Sequence, residues 1–172
     1  NVVSQTNDAV LDINYLNSFT VDADGTAEIS KFDPVSQQLY VVNDTQVEII
    51  DLSDPVTPSI VGSIDVSTFG DGAQSVDVSN GLVAIAVSAD VTTDNGFVIF
   101  TDVNGNNPIQ VQVGALPDML TFTPDGTKVI VANEGEPSSD YTIDPEGSVS
   151  VIDVTGGLAG IDNTDVTNID FN

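Results

Sequence analysis

The chain has 172 residues, 40% of them apolar, and carries 27 Asp and Glu against two basic residues, for a formal net charge of −25. That length and apolar content allow one domain with a buried core and exclude a disordered chain. The charge excludes nucleic-acid binding and disfavours an anionic membrane surface, because Lys31 and Lys128 cannot build a basic patch.

Self-repulsion on this scale needs screening by salt or neutralisation by cations, which points to a saline, calcium-containing medium and a marine or halophilic source. Cysteine is absent, so there is neither a disulfide framework nor thiolate chemistry. The longest apolar run, near Leu82 to Val87, is too short to cross a bilayer, so no direct membrane insertion is expected. The sequence opens on Asn1 without a signal-peptide pattern, as a mature product or an excised segment would.

Short alternating runs rich in Val, Ile and Thr, cut by turn residues about every 8 to 12 positions, predict an all-β chain. The expected strands are 27–32, 38–43, 47–51, 60–66, 75–78, 82–88, 96–102, 109–113, 119–123, 128–132 and 148–154. No helix longer than a turn is expected. Pro34, Gly81 and Pro124-Asp125-Gly126 fall where tight turns belong.

The chain also repeats. AEISKFDPVSQQLYVVND, QSVDVSNGLVAIAVSAD and DMLTFTPDGTKVIVANE align as strand, turn, strand. Each is followed by a third strand ending in Asp: VEIIDL, FVIFTD and VSVIDV. A fourth, outer strand follows in the first two units, as SIVGSIDV and IQVQVGA. The period of roughly 45 residues is that of a four-stranded antiparallel propeller blade. The expected fold is therefore a β-propeller whose blades occupy about 27–66, 73–115 and 117–160, together 27–160. Residues 1–26 form a partial strand or linker, and 161–172 begin a further blade or a C-terminal tail. Propellers close with about four to eight blades. Three to four blades leave the rest to lie beyond Asn172 or on another chain, the former being favoured. The expected partners are those remaining blades or other protein chains, bound through exposed blade edges.

Without His or Cys, no Ser-His-Asp or Cys-His constellation can form in this chain, and both lysines read as solvated. Oxygen ligands remain, the ligand set of a hard cation, with Ca²⁺ first and Mg²⁺ second. The richest stretch is NEGEPSSDYTIDPEGSVSVID, where Glu134, Glu136, Asp140, Asp144 and Glu146 share one inter-strand loop. Pro137 and Pro145 stiffen that loop, and Tyr141 is expected to pin it by packing on the blade face. A solvated acidic loop is the competing reading. DADGTAE offers Asp22, Asp24 and Glu28, and DVNGNN offers Asp102, Asn104 and Asn106, with oxygens two apart around a glycine. Both also suit ordinary turns. Asp118 opens an innermost strand, either as a channel or metal ligand beside Glu134 or as a turn residue.

GALPDMLTFTPDG, VIVANEGEPSSDYTIDPEGSVSVID and AEI…VVN…IIDLSDP resemble the bacterial choice-of-anchor I proteins, which are related to seven-bladed YVTN-type propellers. The resemblance covers roughly residues 25–155. It implies an exported or surface-anchored propeller, extracellular, at the cell surface or periplasmic, in chains that sometimes accompany alkaline-phosphatase or phytase-esterase-like modules. It carries over no catalytic residue. Three functions follow as expectations. The leading one is a non-catalytic extracellular module with a structural, adhesive or assembly role, stabilised by calcium. The others are a Ca²⁺-dependent phosphoesterase and a lactonase-like propeller that binds a small ligand.

Overall fold

The computed structural model describes residues 14–20 and 27–171. Among these described residues, twelve strands form three four-stranded antiparallel sheets. The first sheet holds β1 (Ser30–Asp33), β2 (Gln38–Asn43), β3 (Gln46–Asp51) and β4 (Ser59–Asp65) in that order. The second holds β5 (Gly72–Ser79), β6 (Leu82–Ser88), β7 (Asn95–Asp102) and β8 (Ile109–Ala115). The third holds β9 (Pro117–Phe122), β10 (Lys128–Asn133), β11 (Ser148–Asp153) and β12 (Val166–Asp170). Each sheet is an up-and-down blade whose first strand lies innermost, so the fold is the expected all-β propeller type.

The third blade extends further than expected. The sequence places residues 161–172 in a further blade or a C-terminal tail, whereas β12 pairs with β11, Val149 opposite Ile169 and Val151 opposite Thr167. Two 3₁₀ turns, Leu158–Gly160 and Asn163–Asp165, carry the chain back to that edge. Asp162 starts the second turn with a capping box, accepting from the Thr164 amide while Asp165 accepts from the Asp162 amide. Alternation over VTNID is too short and too polar to be read as a strand by pattern alone. The expected N-terminal segment falls mostly outside the described residues, and residues 14–20 form no strand.

Burial explains why the middle blade reads differently from its neighbours. All seven residues of β6, LVAIAVS, are buried. One face of this blade packs on the first blade, through Val76, Val83, Ile85 and Ile99 against Tyr40, Val47 and Ile49. The other face packs on the third blade, through Ala84, Val98, Phe100 and Val111 against Leu120, Val129 and Ile152. A sheet buried on both faces loses its polar alternation. In the third blade β11 keeps strict alternation, with Ser148, Ser150 and Ile152 buried and Val149, Val151 and Asp153 half-buried.

Candidate functional site

Asp77, an inward-facing residue of the innermost strand β5, ties the three blades together. Its side chain is almost wholly buried. Lys31 of β1 reaches Oδ1 at 2.8 Å. The Thr121 hydroxyl and the Phe122 amide of β9 donate to Oδ2 at 3.0 and 2.8 Å, and the Val78 amide donates to Oδ1 at 2.7 Å. Lys31 is therefore not simply solvated. Its ammonium is half-exposed, but it answers a buried carboxylate on the next blade. Lys128 likewise pairs with Asp153 at 3.0 Å across β10 and β11. With 27 acids available, attraction within the chain draws both cations into ion pairs.

The repeat contains the signal that finds this hub. Lys31 pairs with Tyr40, Asp77 with Ala84 and Thr121 with Ile130, so the three occupy the same register position in successive blades. Their contacts run from blade to blade. Lys31 meets Asp77 and Asp77 meets Thr121, whereas Thr121 is exposed. A salt bridge at equivalent positions of adjacent repeats is legible once the repeats are aligned by strand register rather than by residue identity.

The acidic stretch is an ordered excursion between β10 and β11. Its base is tied down by the Glu134 and Gly135 amides, which donate to Leu116 O and Ala115 O. Gly135 has φ 68, and a Cβ there would lie 2.6 Å from Pro145 O, so the loop neck closes only around a glycine. At the tip the Ser138 amide donates to Ile143 O and the Tyr141 amide to Ser138 O, both at 2.8 Å. Asp140 accepts from the Ser138 hydroxyl, the Thr142 hydroxyl and the Thr142 amide. These donors hold its carboxyl below the usual range, the Ser138 bond contributing most. Tyr141 does not pin the loop on the blade. Its ring is exposed, because a left-handed backbone (φ 57) turns the residue outward at the tip.

Glu134, Glu136, Asp140, Asp144 and Glu146 are all exposed, as are Asp118 on β9 and Glu28 before β1. Asp22 and Asp24 lie outside the described residues. Asp102, Asn104 and Asn106 do come together, but through nitrogen donors. The Asn104 and Asn106 amides donate to Asp102 Oδ1 at 2.8 and 2.9 Å, and Asn106 Nδ2 also points at the carboxylate. These bonds, led by the Asn106 amide, lower the Asp102 pKa. A cation site needs converging oxygens instead. Among the described residues no three acidic side chains form a group able to hold a metal ion.

The two terminal blades differ on their outward faces. Over the first blade, Asn17 Nδ2 donates to Val56 O at 2.8 Å, and the segment around Phe19 covers an apolar hollow floored by Leu39, Val41 and Ile50. The outward face of the third blade carries two rows across its strands. One is Met119, Ala132, Val149 and Ile169, and the other is Thr121, Ile130, Val151 and Thr167. Met119, Ile130 and Ile169 are exposed there.

Comparison with known proteins gives this architecture its relatives. Residues 28–172 match the choice-of-anchor I domain. Over 165 residues the chain is 30% identical to a mesenchyme-specific cell surface glycoprotein of Strongylocentrotus purpuratus, covering 86% of this chain and 20% of that protein. The chain thus spans about a fifth of that relative's length. Solved structures share the fold at low identity. A hypothetical selenium-binding protein from Sulfolobus tokodaii aligns with TM-score 0.54 and 12% identity, over 78% of this chain and 33% of its own. A eukaryotic initiation factor gives 0.58 and 16%, over 91% and 35%. The endosialidase of phage phi92 gives 0.57 and 13%, over 86% and 26%. With the domain match running from the first blade through the last, the chain belongs to the choice-of-anchor I domain family.

Proposed function

We propose that this chain is a non-catalytic, extracellular or cell-surface propeller module whose third blade receives a further blade and so completes a larger structural or adhesive assembly. The observation that carries the reading is the outward face of the third blade. Its rows are register equivalents of the faces that the first blade buries on the second and the second on the third. An apolar four-stranded face equivalent to two covered ones calls for a cover of the same kind. The cell-surface name of the sea urchin relative supports the location.

Ile130→Lys tests it. In the isolated chain this exposed position tolerates lysine within about 0.5 kcal/mol. In a longer chain that includes the following blade, the same change buries an ammonium and destabilises by about 2 kcal/mol or more. Equal, small effects in both contexts would overturn the reading.

Calcium belongs to the proposal as a counter-ion of the acidic surface. Divalent ions accumulate near a surface of charge −25 and relieve its self-repulsion without a chelating cage. The exposed carboxylates of the 134–146 loop are the natural place for that accumulation.

A further inference from the structure

A hollow of about 680 Å³ lies beside the interface of the first and second blades, a volume within the range of small-molecule sites. Phe69, on the connection from β4 to β5, and Phe97 of β7 form two of its walls. Both are half-buried and packed against the core those two blades share, which holds them in place. Other walls are polar: Asp90 and Asp94 on the loop from β6 to β7, Asn95 at the start of β7, and Gln112 on β8. Gln112 stands directly opposite Phe97, so the two share one face of the sheet. A register shift between Asn95 and Phe97 bends the strand at this point.

The backbone around the hollow is fixed. The Asp71 amide donates to Ser88 O at 3.0 Å, the Phe69 amide to Val66 O at 2.9 Å and the Asp94 amide to Val91 O at 2.8 Å. A Cβ at Gly70 would strike the Ser88 carbonyl, and one at Gly96 would strike Pro117. A ligand entering such a pre-ordered hollow orders little more of the chain. Aromatic walls beside polar ones complement a pyranose sugar, which carries apolar C–H faces and a rim of hydroxyls. Each hydroxyl both donates and accepts. Carboxylates take the donated protons, and the side-chain amides of Asn95 and Gln112 can supply donors, which a bare cation could not use. Neither Lys31 nor Lys128 lines the hollow, and the net charge is −25, so an anionic ligand is repelled.

We propose that this hollow binds a neutral pyranose glycan. Phe69 and Phe97 take the C–H faces of the sugar, Asp90 and Asp94 accept from its hydroxyls, and Asn95 and Gln112 donate to them. The inference goes beyond the reading above, because it gives the first two blades a ligand and does not require a further blade to pack on the third.

The test titrates cellobiose, N,N′-diacetylchitobiose, a uronic acid disaccharide and hexamethylenediamine into the chain and follows amide chemical shifts. At least one of the two neutral disaccharides is expected to bind with a Kd of about 1 mM or tighter and to shift amides at 69, within 89–97 and at 112. The uronic acid disaccharide and the diamine should bind about fivefold or more weakly than that sugar. Phe69→Leu keeps apolar bulk but removes the ring, and Asp94→Ala changes an exposed side chain. Each should weaken the neutral disaccharide about fivefold or more. Ile130→Lys, on the third blade, leaves sugar affinity unchanged, which separates failure of this proposal from failure of the reading above. Three results would overturn the proposal: no shift of these amides by either neutral disaccharide up to about 10 mM, diamine binding as tight as the sugar's, or indifference to both substitutions.

Discussion

Among the described residues, Asp77→Ala should be the most damaging single polar substitution. Removing the carboxylate leaves the amide of buried Phe122 without its acceptor. An unsatisfied buried donor costs about 1–3 kcal/mol. Loss of the Lys31 pair adds about 1 kcal/mol at most, because the lysine is half-exposed and its charge returns to water. The Thr121 hydroxyl can rotate to another partner and adds little. The sum is about 2–4 kcal/mol, a large part of the stability of a small domain. Lys31→Met should cost about 1 kcal/mol or less, since Asp77 keeps its donors on β9. Urea unfolding of the two single variants and the double variant at fixed salt measures both losses and their coupling, which should be about 1 kcal/mol or less. If Asp77→Ala stayed within about 0.5 kcal/mol of the parent, the buried carboxylate would not be holding the blades and the hub argument would fail.

Tyr40 is buried, its hydroxyl donating to Val103 O at 2.9 Å, and burial pushes its pKa up to about 12. Between the unfolded value near 10 and that folded value the native state keeps a proton the unfolded chain has lost, so stability falls as pH rises through this window. Ultraviolet titration should show one phenol that ionises only near the alkaline unfolding transition, and a Tyr40→Phe chain should lack it. Asp33 behaves in the opposite sense. Burial raises its pKa, but the Ser36 hydroxyl and the Val35 and Ser36 amides outweigh that and leave it lowered. Its contribution is present above about pH 4 and lost as pH falls through the folded value. Asp33→Asn should therefore cost about 1 kcal/mol or more at pH 7 and much less at pH 3, as chemical denaturation at the two pH values would show. Gly135→Ala should open the loop neck and speed proteolysis at the Tyr141 tip without lowering the global unfolding midpoint by more than a few degrees. Unchanged protection of the loop would contradict the close approach of Gly135 to Pro145. Millimolar calcium should raise Tm at low salt, and the gain should vanish in about 0.5 M NaCl, where the Debye length is only a few ångströms. A gain that persists there would mean a chelating site and would replace the counter-ion proposal.

Alternation and turn spacing were enough to locate eleven of the twelve strands and to group them by repeat, because those signals are local: each depends on residues within one hairpin. They missed β12, whose VTNID is fixed by pairing with β11 rather than by its own pattern. The acidic loop was equally plain as a chain of carboxylates, but not that Asp140 would be consumed by Ser138 and Thr142, or that Tyr141 would face outward. Asp77 looked like any other acid in an acidic chain. Its role depends on Lys31 and Thr121, more than forty residues away on either side, and only the stacking of blades brings them within reach. What the sequence determined alone was the β class, the blade period and the sign of the surface charge, all properties of neighbouring residues or of the chain as a whole. Which carboxylates are buried, which acid each lysine pairs with and which sheet face is left exposed among the described residues were decided by tertiary packing, because burial and long-range pairing exist only once separate blades share an interface.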